Sequence, residues 1–205
     1  MSDRDFEIIA RDVLFQGFFR IERYRLRHRL FSGAWSDEIV RELFERGHAA
    51  AVLPYDPVRD EVVLIEQFRI GALHAPGGPW LLEIVAGMME SEETAAEVVR
   101  REAQEEAGCR IEALAPIYEY LVSPGGTSER ISLFCGKVDA RGVSGIHGCS
   151  AEGEDIRATA VSLDEALAML AAGRINSASP IIALQWLSLN RDRLRRDWST
   201  KAPVR

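Results

Sequence analysis

Cysteine is scarce in this chain, with Cys109, Cys135 and Cys149 the only three among 205 residues. An odd number without metal-ligand spacing excludes a disulfide framework and a thiolate zinc site, leaving buried or incidental thiols in a reducing compartment. Basic charge is also short: 25 Lys and Arg stand against 32 Asp and Glu, a net charge of −7. With no basic stripe, nucleic acid and anionic membrane surfaces are excluded as partners. No apolar run is long enough to cross a bilayer, and MSDRDFEII offers no apolar stretch fit for a signal peptide, so a cytoplasmic protein is expected. Internal repeats and low-complexity segments are absent as well. What remains is a chain with 47% hydrophobic residues, able to bury the core of one domain with a small appendage.

The most informative stretch present is GMMESEETAAEVVRREAQEEAGC, from Gly87 to Cys109. Its spacing predicts a helix capped near Ser91, with Glu92 and Glu93 at the positive end and Gly108 as the left-handed stop. At about 100° per residue, Ala95, Val98, Val99 and Ala103 share an inward face, and Glu97, Arg100 and Gln104 face water. Glu102, Glu105 and Glu106 share the apolar side. Three carboxylates there would repel one another, lose hydration and sit at the unfavourable end of the helix dipole. A divalent cation compensates all three effects, and an all-oxygen ligand set points to Mg²⁺, with Mn²⁺ as a substitute. The alternative, a solvated acidic helix, does not account for the wheel.

Gly87, Glu93 and the run Arg101-Glu102-Ala103-Gln104-Glu105-Glu106-Ala107-Gly108-Cys109 resemble the Nudix box, G-x5-E-x7-R-E-U-x-E-E-x-G-U. Ala103 and Cys109 depart mildly, standing where larger aliphatic residues are usual. The resemblance implies an α/β/α sandwich with a mixed sheet. The order of elements agrees. Strands are expected within residues 5–31, a turn at 32–37, and a hairpin from HAAAVLPYD and EVVLIEQF about DPVRD. EIVRELFERG fits helix or strand by periodicity, and the resemblance favours strand. LLEIVAG reads as one strand feeding the box, ALAPIYEYLVS and RISLFCGKVDA as a pair, and residues 140–155 as a long glycine-rich loop, His147 included. ATAVSL, LDEALAMLAAG and SPIIALQWLSLNRDRLRRDW read as a strand and two helices. The expected organisation is an N-terminal antiparallel sheet at 1–46, a hydrolase domain at 47–198 and a frayed tail at 199–205.

Pro124, sixteen residues beyond Gly108, together with EQFR, SPGGTSER, SGIHG, EGEDI and IIALQWL, narrows the resemblance to the ADP-ribose pyrophosphatase branch. The branch implies hydrolysis of ADP-ribose to AMP and ribose 5-phosphate; another nucleotide sugar, such as GDP-mannose or ADP-glucose, is the alternative substrate, and an inactive ADP-ribose sensor a third reading. It implies metal ligation by Glu102, Glu105, Glu106, Glu154 and the Ala86 carbonyl, with Arg101 orienting the glutamates and Glu93 structural. Glu152, on the glycine-rich loop, is the implied general base. Arg69 is a phosphate or ribose clamp, Met88 a backbone contact, and Ser123, Gly125, Gly126 and Glu129 the terminal-ribose site. Phe18, Phe19, Arg41, Glu42 and Arg46 correspond to positions that hold adenine in dimers of the branch. The N-terminal sheet is too small for a core of its own, so a homodimer exchanging these sheets is expected.

Overall fold

The computed structural model describes residues 6–149, 151 and 153–199. Glu152 and the tail from residue 200 onward therefore lie outside the described residues. The chain divides into two compact units, Met1–His48 with Leu121–Arg130, and Ala49–Tyr120 with Ile131–Arg205.

In the first unit, β1 (Phe6–Gln16), β2 (Arg20–His28) and β3 (Ile39–Glu45) form an antiparallel sheet in that order. The helix-or-strand ambiguity of residues 38–47 resolves to strand. Ile39, Val40, Leu43 and Phe44 suit a helix by spacing, but β3 pairs with β2 from Arg20↔Glu45 to Leu26↔Ile39, and that pairing overrides the periodicity. Glu22 is buried under this sheet, held by Arg11 through two hydrogen bonds of 2.7 and 2.6 Å and by the Tyr24 hydroxyl at 2.9 Å. The Arg11 bonds, helped by Tyr24, outweigh desolvation and pull its carboxyl down to about 2. Segment 121–130 joins this unit where the Phe44 amide donates to the Gly126 carbonyl at 2.8 Å. Phe6, Ile8, Val13, Phe15 and Val40 all leave large apolar side chains exposed.

The second unit is built on a mixed sheet of β4 (Ala49–Asp56), β5 (Glu61–Phe68), β6 (Trp80–Glu83), β7 (Val85–Met88), β8 (Ala113–Leu121), β9 (Arg130–Lys137), β10 (Ser144–His147) and β11 (Ile156–Ser162). The order is β10-β11-β5-β4-β9-β8, with β6 added to β5 and β7 to β4. At its centre, β4 (Ala49–Asp56) is buried along its whole length, which is why it reads as an unbroken apolar run. Its side chains alternate between layers. Ala50 and Val52 meet α1 (Ala95–Ala107), whereas Ala51, Leu53 and Tyr55 meet α3 (Ala178–Ser199), which follows α2 (Leu163–Ala171). The architecture is the expected α/β/α sandwich. Among the described residues no helix is long and apolar enough to cross a membrane.

Two expected elements differ. LLEIVAG is two strands, β6 (Trp80–Glu83) antiparallel to β5 (Glu61–Phe68) and β7 (Val85–Met88) antiparallel to β4, with buried Ile84 between them. The chain changes partner at that residue and so delivers Ala86 and Gly87 to the underside of α1. The glycine-rich loop also contains a strand, β10 (Ser144–His147), paired with β11 (Ile156–Ser162). Its glycines hide it from propensity, and pairing to an open sheet edge creates it.

Candidate active site

Helix α1 starts later than its first serine suggests. Thr94, not Ser91, is the N-cap, and the Thr94 hydroxyl and Glu97 carboxylate close a reciprocal capping box. Gly108 ends the helix in the left-handed conformation at φ 62°, with the Cys109 amide donating to the Ala103 carbonyl at 2.8 Å.

The inward face carries Val98, Val99, Ala103 and Ala107, and with them Glu106, which is 2% exposed. Its Oε2 accepts a 3.0 Å hydrogen bond from the Ala86 amide. Burial pushes the Glu106 carboxyl up to about 8; Glu102 and Glu154 raise it further, and the Ala86 bond and Arg69 oppose the shift. Glu102, half-buried, is shifted in the same direction by burial, against the pull of Arg101. Gly87 is the reason Glu102 fits at all. A Cβ on Gly87 would stand 1.9 Å from Glu102 Oε1 and 2.5 Å from its Cγ. The first glycine of the motif is thus a cradle for the first of its helical glutamates, fifteen residues away.

Glu105 behaves differently from its neighbours. It is exposed, and its carboxylate pairs at 3.2 Å with Arg101. The same guanidinium binds Glu93 through two 3.1 Å hydrogen bonds and Glu102 at 2.7 Å. Arg101 thus bridges Glu93, Glu102 and Glu105, an arrangement consistent with an orienting role for it and a structural one for Glu93. Glu154 Oε2 accepts from the Cys149 amide at 3.0 Å, and its charge raises both Glu102 and Glu106, so it belongs to the same group. Arg69 lies near Glu106 and is held by Glu83 at 2.7 Å. Sequence reasoning missed Glu83, since only the pairing of β5 with β6 brings it to Arg69. Met88 is half-buried in β7, two residues beyond Ala86.

The other expected contacts belong to the first unit. Phe19 is half-buried edge-on to Phe44 at 5.1 Å, and the Arg46 guanidinium lies 5.1 Å from its ring centroid. Phe18 is 91% exposed, so it is no core residue. Arg41 and Glu42 are adjacent in β3 and point to opposite faces of its sheet, so a single chain does not gather all five of these residues on one face. Glu129 is buried and pairs with Arg46 at 3.5 Å. The Ser123 carbonyl accepts from the Gly126 and Thr127 amides at 3.0 Å, closing a turn in which Ser123, Gly125 and Gly126 are exposed.

Among the described residues, no three His, Cys, Asp or Glu side chains converge into a finished coordination shell. Arg101 draws Glu105 outward and takes one oxygen of Glu102. The donor chemistry nevertheless fits a hard divalent cation. Glu102, Glu106, Glu154 and the Ala86 peptide offer oxygen alone, and the buried Glu106 needs a counter-charge to ionise at neutral pH.

A family model described as the NUDIX domain matches residues 45–184. The ADP-ribose pyrophosphatase of Escherichia coli K12 is 54% identical over 195 residues, covering 95% of this chain and 93% of its own. That of Haemophilus influenzae is 42% identical over 200 residues, covering 96% and 92%. The GDP-mannose pyrophosphatase of Yersinia pestis (strain Pestoides F) is 31% identical over 192 residues, covering 90% and 92%. A crystal structure of an ADP compounds hydrolase superposes with a TM-score of 0.70 at 19% identity, covering 96% of this chain and 98% of that one, a likeness of fold.

Proposed function

The chain belongs to the NUDIX family, and on that footing we propose that it is a Mg²⁺-dependent hydrolase splitting the diphosphate of ADP-ribose into AMP and ribose 5-phosphate. The observation that carries the reading is the acidic face of α1, where Glu106 is buried against the Ala86 peptide and Glu102 fills the space left by Gly87. The substrate reading is supported by 54% identity to an ADP-ribose pyrophosphatase, against 31% to a GDP-mannose pyrophosphatase.

Glu102, Glu106, Glu154 and the Ala86 carbonyl would hold the cation, with Mn²⁺ able to replace Mg²⁺. Bound there, the divalent cation supplies charge neutralisation of the diphosphate and a lowered pKa for attacking water. Arg101 keeps the carboxylates aligned. Arg69, braced by Glu83, offers a guanidinium for a phosphate oxygen or ribose hydroxyl. Glu152 is proposed as the base that takes the proton from water, and the products separate when that water's oxygen bonds one phosphorus and the bridging oxygen leaves with the other. Glu152→Gln is expected to lower kcat by ~10²–10⁴-fold with KM within about threefold. Wild-type turnover by that variant in steady-state assays would remove Glu152 from the role.

A homodimer exchanging N-terminal sheets is proposed as well, because it would cover the apolar side chains that the first unit leaves exposed. The ring of Phe19 under Arg46 suits a purine there. The functional test is a panel of ADP-ribose, ADP-glucose and GDP-mannose, with phosphate monoester release read by coupled phosphatase. Mg²⁺-dependent release, abolished by EDTA and fastest from ADP-ribose, is expected. A preference for GDP-mannose would replace the substrate, and no turnover of any of the three would favour a binding module, although all the box glutamates are retained.

A further inference from the structure

We infer that His147–Cys149 is a strap pinning the segment that carries Glu154 to the C-terminal end of α1, and that His147 is the positioning residue that seats it. The inference rests on the hydrolase reading only for what Glu154 does once it is placed. Three successive residues at the end of β10 each make a separate attachment. The His147 ring is wedged between two glycine backbones: its Cε1 lies 3.2 Å from where a Gly108 Cβ would be, and its Nε2 lies 3.6 Å from where a Gly145 Cβ would be. The wedge is tight enough that Nε2 is buried, with no hydrogen-bond partner among the described residues. Gly108 has φ +62° and Gly145 φ +132°, so both already favour glycine, and the missing side chains form the slot that the flat ring occupies.

Gly148 makes the second attachment. Its amide donates to the Glu105 carbonyl at 3.3 Å, one of the last-turn carbonyls of α1 that no helical amide can reach. Within the helix cap, the Gly108 and Cys109 amides serve Gln104 and Ala103, so Gly148 extends the cap from a distant part of the chain. Gly148 must also lack a side chain. With φ +98°, a Cβ on it would stand 2.8 Å from Glu154 Cβ and 3.3 Å from Ile156 Cγ1. Glu154 folds over that bare backbone and makes the third attachment, accepting from the Cys149 amide at 3.0 Å. One tripeptide thus ties the helix carrying Glu102 and Glu106 to the segment carrying Glu154. Without the ring in its slot beside Gly108, the Gly148 bond to Glu105 loses packing against the end of α1, and Glu154 loses part of the frame that aims it.

Hydrogen exchange on the full-length wild type and on His147→Ala, read over residues 144–149 and over α1, tests the strap without reference to activity. The Gly148 and Cys149 amides are expected to exchange ~10-fold faster in His147→Ala, while Val98 and Val99 keep their protection and so show that the sandwich is intact. Glu154→Ala is expected to release the Cys149 amide and leave Gly148 protected. Steady-state assays of His147→Ala should show kcat down by ~10-fold, KM for ADP-ribose within about twofold and a raised half-saturating Mg²⁺ concentration. Unchanged exchange at Gly148 and Cys149 in His147→Ala would overturn the inference. A wild type inert toward ADP-ribose would remove the substrate reading, while the exchange comparison still decides the strap.

Discussion

Glu106→Gln is expected to lower Mg²⁺-dependent kcat by ~10³-fold or more while leaving the metal-free protein at least as stable as wild type. The two halves of this expectation have one cause. Burial pushes the Glu106 carboxyl from an ordinary 4.5 up to about 8, so the folded chain retains a proton that the unfolded chain gives up. Stability from this group is fully present below the unfolded value and is lost as pH rises through about 8, because there the native state must ionise a carboxylate out of reach of water. Glu102 is shifted in the same direction and adds to the trend. Metal-free wild type should therefore melt at a lower temperature near about pH 8.5 than near about pH 6, and Mg²⁺ should restore the high-pH value by binding the ionised form. Glutamine cannot ionise, so the variant should show a flatter melting profile in EDTA and little response to Mg²⁺. Scanning fluorimetry across pH, with and without the ion, reads all of this. A wild-type melting temperature that rises through the same window would contradict the assignment of Glu106 as a buried, desolvated acid.

Gly87→Ala is expected to cost ~10²-fold in kcat with a melting temperature within about 3 °C of wild type. Gly87 lies in β7 and is not among the glycines of positive φ, so the backbone accepts alanine. The added methyl would fall 1.9 Å from Glu102 Oε1, and the flexible glutamate must vacate its place. The fold loses little, because only a half-buried side chain moves. The effect should vanish in a double-mutant cycle. Once Glu102 is alanine, adding Gly87→Ala should change kcat by less than about twofold. Independent losses from the two substitutions would mean that Gly87 acts on something other than Glu102.

The parts of this site that were legible in the sequence are those set by helical spacing. Glu102 and Glu106 four residues apart, Arg101 beside them and Gly108 as the stop all depend on one element's geometry, and the structure has them so. The Thr94 and Glu97 capping box was equally readable as T-x-x-E, but Ser91 comes first and is followed by acids, which drew the expected helix start three residues too early. Glu105 shows the limit of a wheel. It shares the angular stripe with Glu102 and Glu106, yet Arg101 pulls its long side chain outward. Strand β10, the Glu83 brace on Arg69 and the place of His147 were not readable, because each arises from pairing between segments distant in sequence. The same holds for the split of β6 from β7, which is decided by which neighbour each half meets. Phe18 and Phe19 differ for a local reason: Phe19 packs on Phe44, while Phe18 caps the Phe19 ring edge-on and stays in solvent, a distinction that composition does not carry.

Whether Glu106 holds a cation is read most directly from a crystal soaked in Mn²⁺ and measured for anomalous scattering. A peak bounded by carboxylate oxygens of Glu102, Glu106 and Glu154 and by the Ala86 carbonyl is expected, and it should be lost in Glu106→Gln. A saturating soak that leaves Glu106 still bonded to the Ala86 amide, with no peak beside it, would contradict the central claim that this buried acid exists to hold a cation.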